Sequence, residues 1–207
     1  MNIPVVYEDD CLIILDKPSG LLTVPTPKNE SRTLTSILNE EGPAAGKIRF
    51  YPCHRLDRET SGLIIYAKSR PVQEQVMDLF RQHKVKKTYI AFVQKRINQP
   101  GGRIRAAIEG KQAVTGFEVL ERRCDFSVVK VSPETGRTNQ IRIHFKGIGH
   151  PLVGETKFAF RKDYALRHKR LCLHAFSLDF THPVTGKRVQ LQADLPEDLD
   201  KFLASHK

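Results

Sequence analysis

The chain has 207 residues, of which 40% are hydrophobic, and this length and apolar content suit a soluble globular protein with a well-buried core. Lys and Arg outnumber Asp and Glu by 34 to 23, so the formal net charge is +11 at pH 7 and nucleic acid is the expected partner. The four cysteines form no C-x-x-C pair, and no apolar run approaches the length of a membrane span. These features argue against a zinc knuckle, a disulfide framework and a membrane protein, and we expect a cytoplasmic location.

Predicted strands dominate the first third of the chain. Residues 5–7 and 12–15 form short apolar runs on either side of a turn-like acidic segment, residues 8–10. The spacing of Leu34, Ile37 and Leu38 fits a short helix. Residues 63–66, Leu-Ile-Ile-Tyr, indicate a buried strand.

An amphipathic helix is predicted next, because Val72, Val76, Leu79 and Phe80 lie on one helical face behind Pro71. Its basic end, residues 81–87, is expected to point away from the core. From residue 81 to residue 105 the chain carries Lys and Arg but no carboxylate. A second basic segment, residues 157–170, has Phe158, Phe160 and Tyr164 interleaved. This segregation suggests a basic face, although a charge run alone also fits an ordinary solvated surface.

The rest of the chain continues with predicted strands and two helices. Residues 88–93, 113–120, 126–131 and 171–178 have the β-branched and aromatic composition of strands. One helix carries Ile141, Phe145 and Ile148 on one face, and a last helix carries Leu195, Leu199, Phe202 and Leu203. Because the strands arrive in runs, we predict an α+β fold in one domain, residues 1–207, with a mixed, mostly antiparallel sheet flanked by helices and loops.

The loop before the buried strand crowds ionisable groups into residues 54–59. On pattern alone, Asp57 is most simply a turn residue, because Asp, Thr, Ser and Gly favour local bonds to the backbone. A carboxylate between Arg55 and Arg58 would also stay ionised at the mouth of an apolar strand, which favours a chemical role. In that case residues 60–62 would form the turn. A metal site at His54 and Asp57 lacks any further ligand at a supporting spacing.

Residues 54–63, H-R-L-D-R-E-T-S-G-L, resemble the H-R-L-D-x-x-T-S-G-L signature of the RluA family of RNA pseudouridine synthases. Other blocks similar to those of the family follow in the right order, at residues 8–21, 85–89, 135–142, 149–154 and 171–175. The resemblance covers nearly the whole chain. It implies the pseudouridine synthase fold and an isomerase that converts uridine to pseudouridine in structured RNA, which is a tRNA, a 23S rRNA stem-loop or both. The isomerisation is redox-neutral and adds no group, so we expect no cofactor and no metal.

The resemblance also implies roles for single residues. Asp57 matches the family's catalytic aspartate, Tyr89 its active-site tyrosine, and Arg142 the basic residue that pairs with the aspartate. Arg55 matches the arginine that fills the stack left by the flipped-out nucleotide. The residues expected to contact RNA are Arg55, Arg58, Lys84, Lys86, Lys87 and Arg137. From the residues alone, Tyr89 could instead be a core aromatic and Arg142 a solvated helix residue.

Two departures from the family pattern bear on the choice of target. Asn139 stands where the family usually has His, and residues 98–114 are shorter than the corresponding segment of many relatives. The chain begins almost directly at the catalytic block, so we expect no S4-type RNA-binding domain, and we expect a monomer. The alternative function is a non-catalytic RNA-binding or RNA-folding protein, which a basic face alone would support equally well.

Overall fold

The computed structural model describes residues 3–27, 30, 32–41, 46–159 and 166–206. Within these ranges the chain forms ten strands and four α-helices, and every strand pair with a described register is antiparallel. The predicted α+β fold with a mostly antiparallel sheet is therefore confirmed. Phe160 and Tyr164, which the sequence placed in a basic segment, lie outside the described residues. None of the helices in the described ranges has the length and apolarity needed to cross a membrane.

The elements follow one another along the chain as β1 Val5–Glu8, β2 Leu12–Lys17, α1 Leu34–Ser36 with a π-helical extension Ile37–Glu41, β3 Tyr51–Pro52, β4 Ser61–Ala67, α2 Arg70–Arg81, β5 Lys86–Gln94, β6 Gly101–Arg105, β7 Val114–Arg122, β8 Phe126–Pro133, α3 Gln140–Gly147, β9 Leu173–Thr181, β10 Arg188–Gln192 and α4 Glu197–Ser205. They divide into two compact units. The first unit comprises residues 1–86 and 177–193, and the second comprises residues 87–176 and 194–207.

The first unit is built around β4, in which all seven residues are buried. β2 pairs with β4 from Leu12 opposite Ala67 to Lys17 opposite Gly62, and β1 pairs with the other edge of β2. The hairpin of β9 and β10 adds further apolar residues to the same unit. Its core contains Leu12, Ile14, Leu63, Ile65, Val76, Leu178, Phe180 and Val189. α2 packs on this core through Val76, as its predicted apolar face requires.

The second unit has β5, β8, β7 and β6 in this hydrogen-bonded order. Two apolar clusters form its core. In one cluster, Ile141 and Phe145 of α3 pack on strand residues that include Val129 and Val131. In the other, Phe202 of α4 packs on residues that include Phe92 and Phe126. Ile148, which the sequence assigned to the apolar face of α3, follows the last helical residue and is 41% exposed.

Candidate active site

Asp57 lies in the loop that leads into β4, between the buried residues Leu56 and Thr60. Its own side chain is half-buried. The Thr60 N–H donates to the Asp57 carbonyl oxygen at 3.2 Å, so the turn runs from residue 57 to residue 60. Ser61 and Gly62 already belong to β4, so the observed turn begins three residues before the predicted turn of residues 60–62. Asp57 is therefore a turn residue that is only half-buried.

A buried lysine fastens this loop to the segment after β2. Lys17 is fully buried, and its Nζ donates to the carbonyl oxygens of Pro18 at 2.9 Å, Leu21 at 2.7 Å and Arg58 at 3.2 Å. The Arg58 carbonyl also accepts from the Gly20 N–H at 2.8 Å. An ammonium group has three N–H donors, and three carbonyl oxygens can compensate its loss of hydration. The Arg58 carbonyl, just after Asp57, thus accepts two hydrogen bonds from this one segment.

Two hydroxyl groups complete the attachment of the loop. Ser19 Oγ donates to the carbonyl oxygen of Glu59 at 2.7 Å. Thr23 Oγ1 donates to the carbonyl of Leu56 at 3.1 Å and accepts from its N–H at 3.2 Å. Backbone groups on both sides of Asp57 are therefore bonded to one neighbouring segment. Such fixed backbone is what a reactive side chain needs in order to keep one position.

The other ionisable residues of the loop have separate roles. Arg55 is exposed, and Arg58 pairs with Glu30 through Nη2 and Oε1 at 2.8 Å. His54 accepts from the Ile65 N–H through Nε2 at 3.1 Å. Because that lone pair is engaged with the backbone of β4, His54 serves to hold the strand.

Among the predicted RNA-contacting lysines, Lys84 and Lys86 are exposed near the start of β5. Lys87 is half-buried, and burial lowers the pKa of its ammonium group. A Cβ at Gly136 would lie 3.9 Å from Lys87 Nζ, so this ammonium lies beside the T-G-R turn. Arg137 in that turn is exposed and donates through Nε to the Gln112 carbonyl at 3.2 Å.

Tyr89 lies in β5, directly opposite Val131 of β8. It is half-buried and packs against the apolar cluster of Val129, Val131 and Phe145. Tyr89 therefore contributes to the core without being fully buried. This placement fits both the structural and the active-site interpretation of Tyr89.

Arg142 is buried inside the second unit, with 3% of its surface exposed, so its interpretation as a solvated helix residue is wrong. Its Nε and Nη2 donate to Oε2 and Oε1 of Glu155, each at 2.7 Å. Burial raises the pKa of Glu155, but the bonds from Arg142 and from the backbone N–H groups of Lys157 and Phe158 outweigh it and hold this pKa below its usual value. Both side chains are therefore ionised at neutral pH. The residues predicted from the sequence did not include Glu155.

Asn139 precedes α3 in the left-handed conformation, with φ of +53°. Asn is among the few residues other than Gly that tolerate this region. Its side chain makes no helix-capping bond, and its Oδ1 instead accepts from Arg142 Nη1 at 3.2 Å. The residue that departs from the family pattern therefore contacts a predicted catalytic residue directly.

Gln140 fixes the T-G-R turn to β7. Its Oε1 accepts from Thr135 Oγ1 at 2.7 Å and from the Arg137 N–H at 3.0 Å. Its Nε2 donates to the Val114 carbonyl and to Thr115 Oγ1, both at 2.9 Å. The start of α3, and with it Arg142, is thereby tied to the neighbouring strand.

One group of residues within the described ranges has the composition of a metal site. Ligand atoms of Asp9, Cys11 and His182 lie within 4.8 Å of one another. However, His182 Nδ1 accepts from the N–H groups of Val184 and Thr185, which leaves the ring hydrogen on Nε2, 3.1 Å from Asp9 Oδ2. A nitrogen that carries a hydrogen is no metal ligand, so this tautomer of His182 does not suit a metal site.

The structure assigns the predicted site residues to two units. Asp57, Arg55, Arg58, Lys84 and Lys86 belong to the first unit. Tyr89, Arg142, Lys87 and Arg137 belong to the second. Within the second unit, Arg142 is joined to Asn139 and Glu155, and Lys87 lies beside the turn of Arg137. A shared catalytic role for Asp57, Tyr89 and Arg142 stays a prediction.

Comparison with known proteins identifies close sequence relatives. The chain is 36% identical over 221 residues to a Bacillus subtilis protein named uncharacterized RNA pseudouridine synthase YlyB, covering 98% of this chain and 72% of the relative. It is 35% identical over 205 residues to the dual-specificity RNA pseudouridine synthase RluA of Haemophilus influenzae, covering 91% of each chain. It spans only 61 to 64% of the length of several relatives named ribosomal large subunit pseudouridine synthase D.

The fold matches that of a solved structure, human RNA Pseudouridylate Synthase Domain Containing 4. The TM-score is 0.78 at 23% sequence identity, over 97% of this chain and 91% of that one. Because these relatives are named as synthases, and hence as isomerases, the alternative of a non-catalytic RNA-binding protein is not favoured. The family model for RNA pseudouridylate synthase matches residues 11–146, and the chain belongs to this family, as the resemblance to RluA predicted.

Proposed function

We propose that the protein isomerises one or more uridines to pseudouridine in structured RNA, which is a tRNA, a 23S rRNA stem-loop or both. Asp57, Tyr89 and Arg142 are the catalytic residues of this proposal. The observation that carries it is the loop of Asp57, whose sequence fits the family signature over ten residues. Lys17 and Thr23 hold its backbone on both sides of the aspartate.

Chemistry on a base requires that the base first leave the stack, at a cost of a few kcal/mol that is lower in a loop than in a duplex. Phosphate contacts of the exposed Arg58, Lys84, Lys86 and Arg137 would offset that cost. Arg55, exposed next to the Asp57 turn, would occupy the position that the nucleotide vacates. Specificity for single-stranded or looped RNA follows from this requirement.

The reaction breaks the bond between uracil N1 and C1′ of the ribose, turns the base, and joins C5 to C1′. The C5 proton is lost to solvent and N1 gains a proton, so atoms and electrons balance without any added group. Asp57 supplies the ionised carboxylate, as a nucleophile or as a base at the sugar. Arg142 keeps that carboxylate charged by opposite charge, and Tyr89 packs on the uracil and assists removal of the C5 proton.

The central experiment uses total RNA labelled with [5-³H]uridine, isolated from cells that lack the gene. Wild-type protein should release tritium from this RNA, because the C5 proton is lost in the reaction. Asp57→Ala should abolish release while retaining most RNA affinity in a filter-binding assay, since affinity depends on phosphate contacts.

The matched control is Glu59→Gln, which removes a carboxylate from the same turn. We expect it to keep tritium release. Absence of release by wild-type protein would contradict the proposed activity on these RNAs. Release by Asp57→Ala at the wild-type rate would contradict the role of the aspartate. Mapping pseudouridines in cells with and without the gene would then identify the target position.

A further inference from the structure

We propose that Glu155 is a positioning residue for the reaction and holds the guanidinium of Arg142 in the orientation that catalysis requires. The inference rests on the proposed function, because it takes Arg142 as the cation that serves the reacting carboxylate. Glu155 itself contacts neither substrate nor the reacting atoms in this proposal. It acts through Arg142.

The contact between Arg142 and Glu155 fixes a plane as well as a distance. Nε and Nη2 lie along one edge of the guanidinium, and both donate to the carboxylate at 2.7 Å. Two parallel bonds of this kind define the orientation of the planar group. Asn139 accepts from Nη1 at 3.2 Å, and the ring of Phe158 lies 5.2 Å from the guanidinium carbon. Arg142 is therefore restrained along one edge, at Nη1 and over one face.

Glu155 is itself held by backbone, which makes it a rigid support. Its Oε1 accepts from the N–H groups of Lys157 at 2.8 Å and Phe158 at 3.3 Å. Its own N–H donates to the carbonyl of Leu152 at 3.1 Å. The carboxylate thus has little freedom to move. The guanidinium of Arg142, which donates two hydrogen bonds to it, is restrained as a result.

The segment that carries Glu155 is also bonded to the strand that carries Tyr89. The Val153 N–H donates to the Phe92 carbonyl at 2.8 Å, and Leu152 forms an antiparallel bridge with Val93. Phe92 and Val93 belong to β5, as Tyr89 does. Glu155 therefore connects the helix of Arg142 to the strand of Tyr89 within the second unit.

Burial of the pair favours a positional role over a simple stabilising one. Glu155 has 1% of its surface exposed and Arg142 has 3%. Removing two charges from water is costly, and well-packed apolar residues often stabilise such a site equally well. A buried ion pair does, however, restrict its partners to one geometry. Without Glu155, the guanidinium of Arg142 would lose the two bonds that fix its plane.

The test compares Glu155→Gln and Glu155→Asp with wild type in single-turnover tritium release from [5-³H]uridine-labelled total RNA. With Glu155→Gln we expect the maximal rate to fall by about 10²-fold, as for other small misplacements of catalytic groups. The enzyme concentration at half-maximal rate should stay close to that of wild type, because RNA affinity depends on exposed basic residues. Glu155→Asp keeps a carboxylate and should recover part of the rate.

The matched control is Asp198→Asn. Asp198 accepts from Arg170 Nε at 2.5 Å and Nη2 at 3.2 Å, which is the same two-bond geometry elsewhere in the second unit. This variant should keep the maximal rate. Circular dichroism melting curves of every variant confirm that the assays are run on folded protein.

A second comparison separates positioning from folding. Arg142→Met is compared with the double variant Arg142→Met/Glu155→Leu, in which no charge of the pair remains buried. If Glu155 acts only through Arg142, the double variant should be no slower than Arg142→Met. This comparison decides the question even if Glu155→Gln fails to fold.

Three results would overturn the role of Glu155 while leaving the proposed function intact. They are a wild-type maximal rate in Glu155→Gln, a change only in the enzyme concentration at half-maximal rate, and a double variant about 10²-fold slower than Arg142→Met. Each of these requires an active wild-type enzyme. Inactive wild-type protein would instead reject the proposed function, and the role of Glu155 with it.

Discussion

Lys17 has a buried ammonium group in the first unit, and hydrogen bonds from this group stabilise the loop of Asp57. Its ammonium donates to three carbonyl oxygens, one of them in the residue after Asp57. We expect Lys17→Met, which keeps the length of the side chain, to lower the free energy of unfolding by about 2–4 kcal/mol, because buried acceptors lose their donor. Tritium release should fall at least about tenfold, since the Asp57 turn loses its support. Chemical denaturation and the tritium assay measure the two effects.

Lys201→Met is the control for this substitution. Lys201 is exposed in α4, where it pairs with Glu197 one helical turn away. Such a pair contributes little, so the change in the free energy of unfolding should stay within about 0.5 kcal/mol. Equal effects of the two substitutions would show that the buried bonds of Lys17 are not what stabilises the loop.

The interactions of single residues were the hardest to predict from the sequence. The signature around Asp57 was recognisable because its residues are contiguous. The pair of Arg142 and Glu155 left no such signal, because a separation of 13 residues matches no helical or strand period. A charged residue next to a glycine also looks like an ordinary turn residue. Burial of Arg142 depends on tertiary packing, which no local pattern reports.

Elements with strong periodicity were predicted well. The apolar stripe of α2 predicted an amphipathic helix, and the unbroken apolar run of β4 predicted a buried strand. The structure confirms both. β6 and β10 were not predicted. β6 begins with two glycines, which are depleted in strands, and β10 alternates polar with apolar residues over only five positions. Both become strands because a neighbouring strand supplies their hydrogen bonds.

The turn before Glu155 depends on a glycine. Gly154 has φ of +78°, and a Cβ at this position would lie 1.9 Å from the Arg170 carbonyl oxygen. Gly154→Ala should therefore destabilise the protein by about 2–4 kcal/mol, because it adds a steric clash to the cost of a left-handed alanine. Thermal unfolding followed by circular dichroism measures this loss.

Gly149→Ala isolates the effect of the clash. Gly149 also has a left-handed backbone, with φ of +81°, but a Cβ there would meet no atom within 4 Å. We expect a loss of only about 1–2 kcal/mol at this position. If both substitutions lower the melting temperature equally, the close approach to Arg170 is not the reason that residue 154 is glycine.

At the scale of the whole molecule, the net charge of +11 predicts strongly salt-dependent RNA binding. The logarithm of the binding constant should fall linearly with the logarithm of salt concentration, by about 0.7–0.9 per phosphate contact. The double variant Lys84→Gln/Lys86→Gln should make this slope shallower by about 1.5, because two exposed contacts are lost. Filter binding at several salt concentrations measures the slope.

Lys201→Gln serves as the control for charge alone. Lys201 lies in α4 next to acidic residues, so we expect the Lys201→Gln substitution to leave the salt slope unchanged. A slope that is flat in wild type, or that changes equally in both variants, would contradict a specific basic face. The net charge of the chain follows from its composition alone. Which basic residues lie together on one face depends on the fold.

The first unit takes its residues from two distant parts of the chain. Leu178, Phe180, Val189 and Ala193 complete a core that otherwise comes from the first 86 residues. Synthesis proceeds from the N-terminus at about 5–20 residues per second. The last core residues are therefore synthesised roughly 5–20 s after residue 86, and the core cannot be completed before then. During that interval the apolar strand β4 is made but incompletely covered. The nascent chain is therefore most exposed to aggregation before its final 30 or so residues appear, and its yield in cells should depend on chaperones that bind such strands.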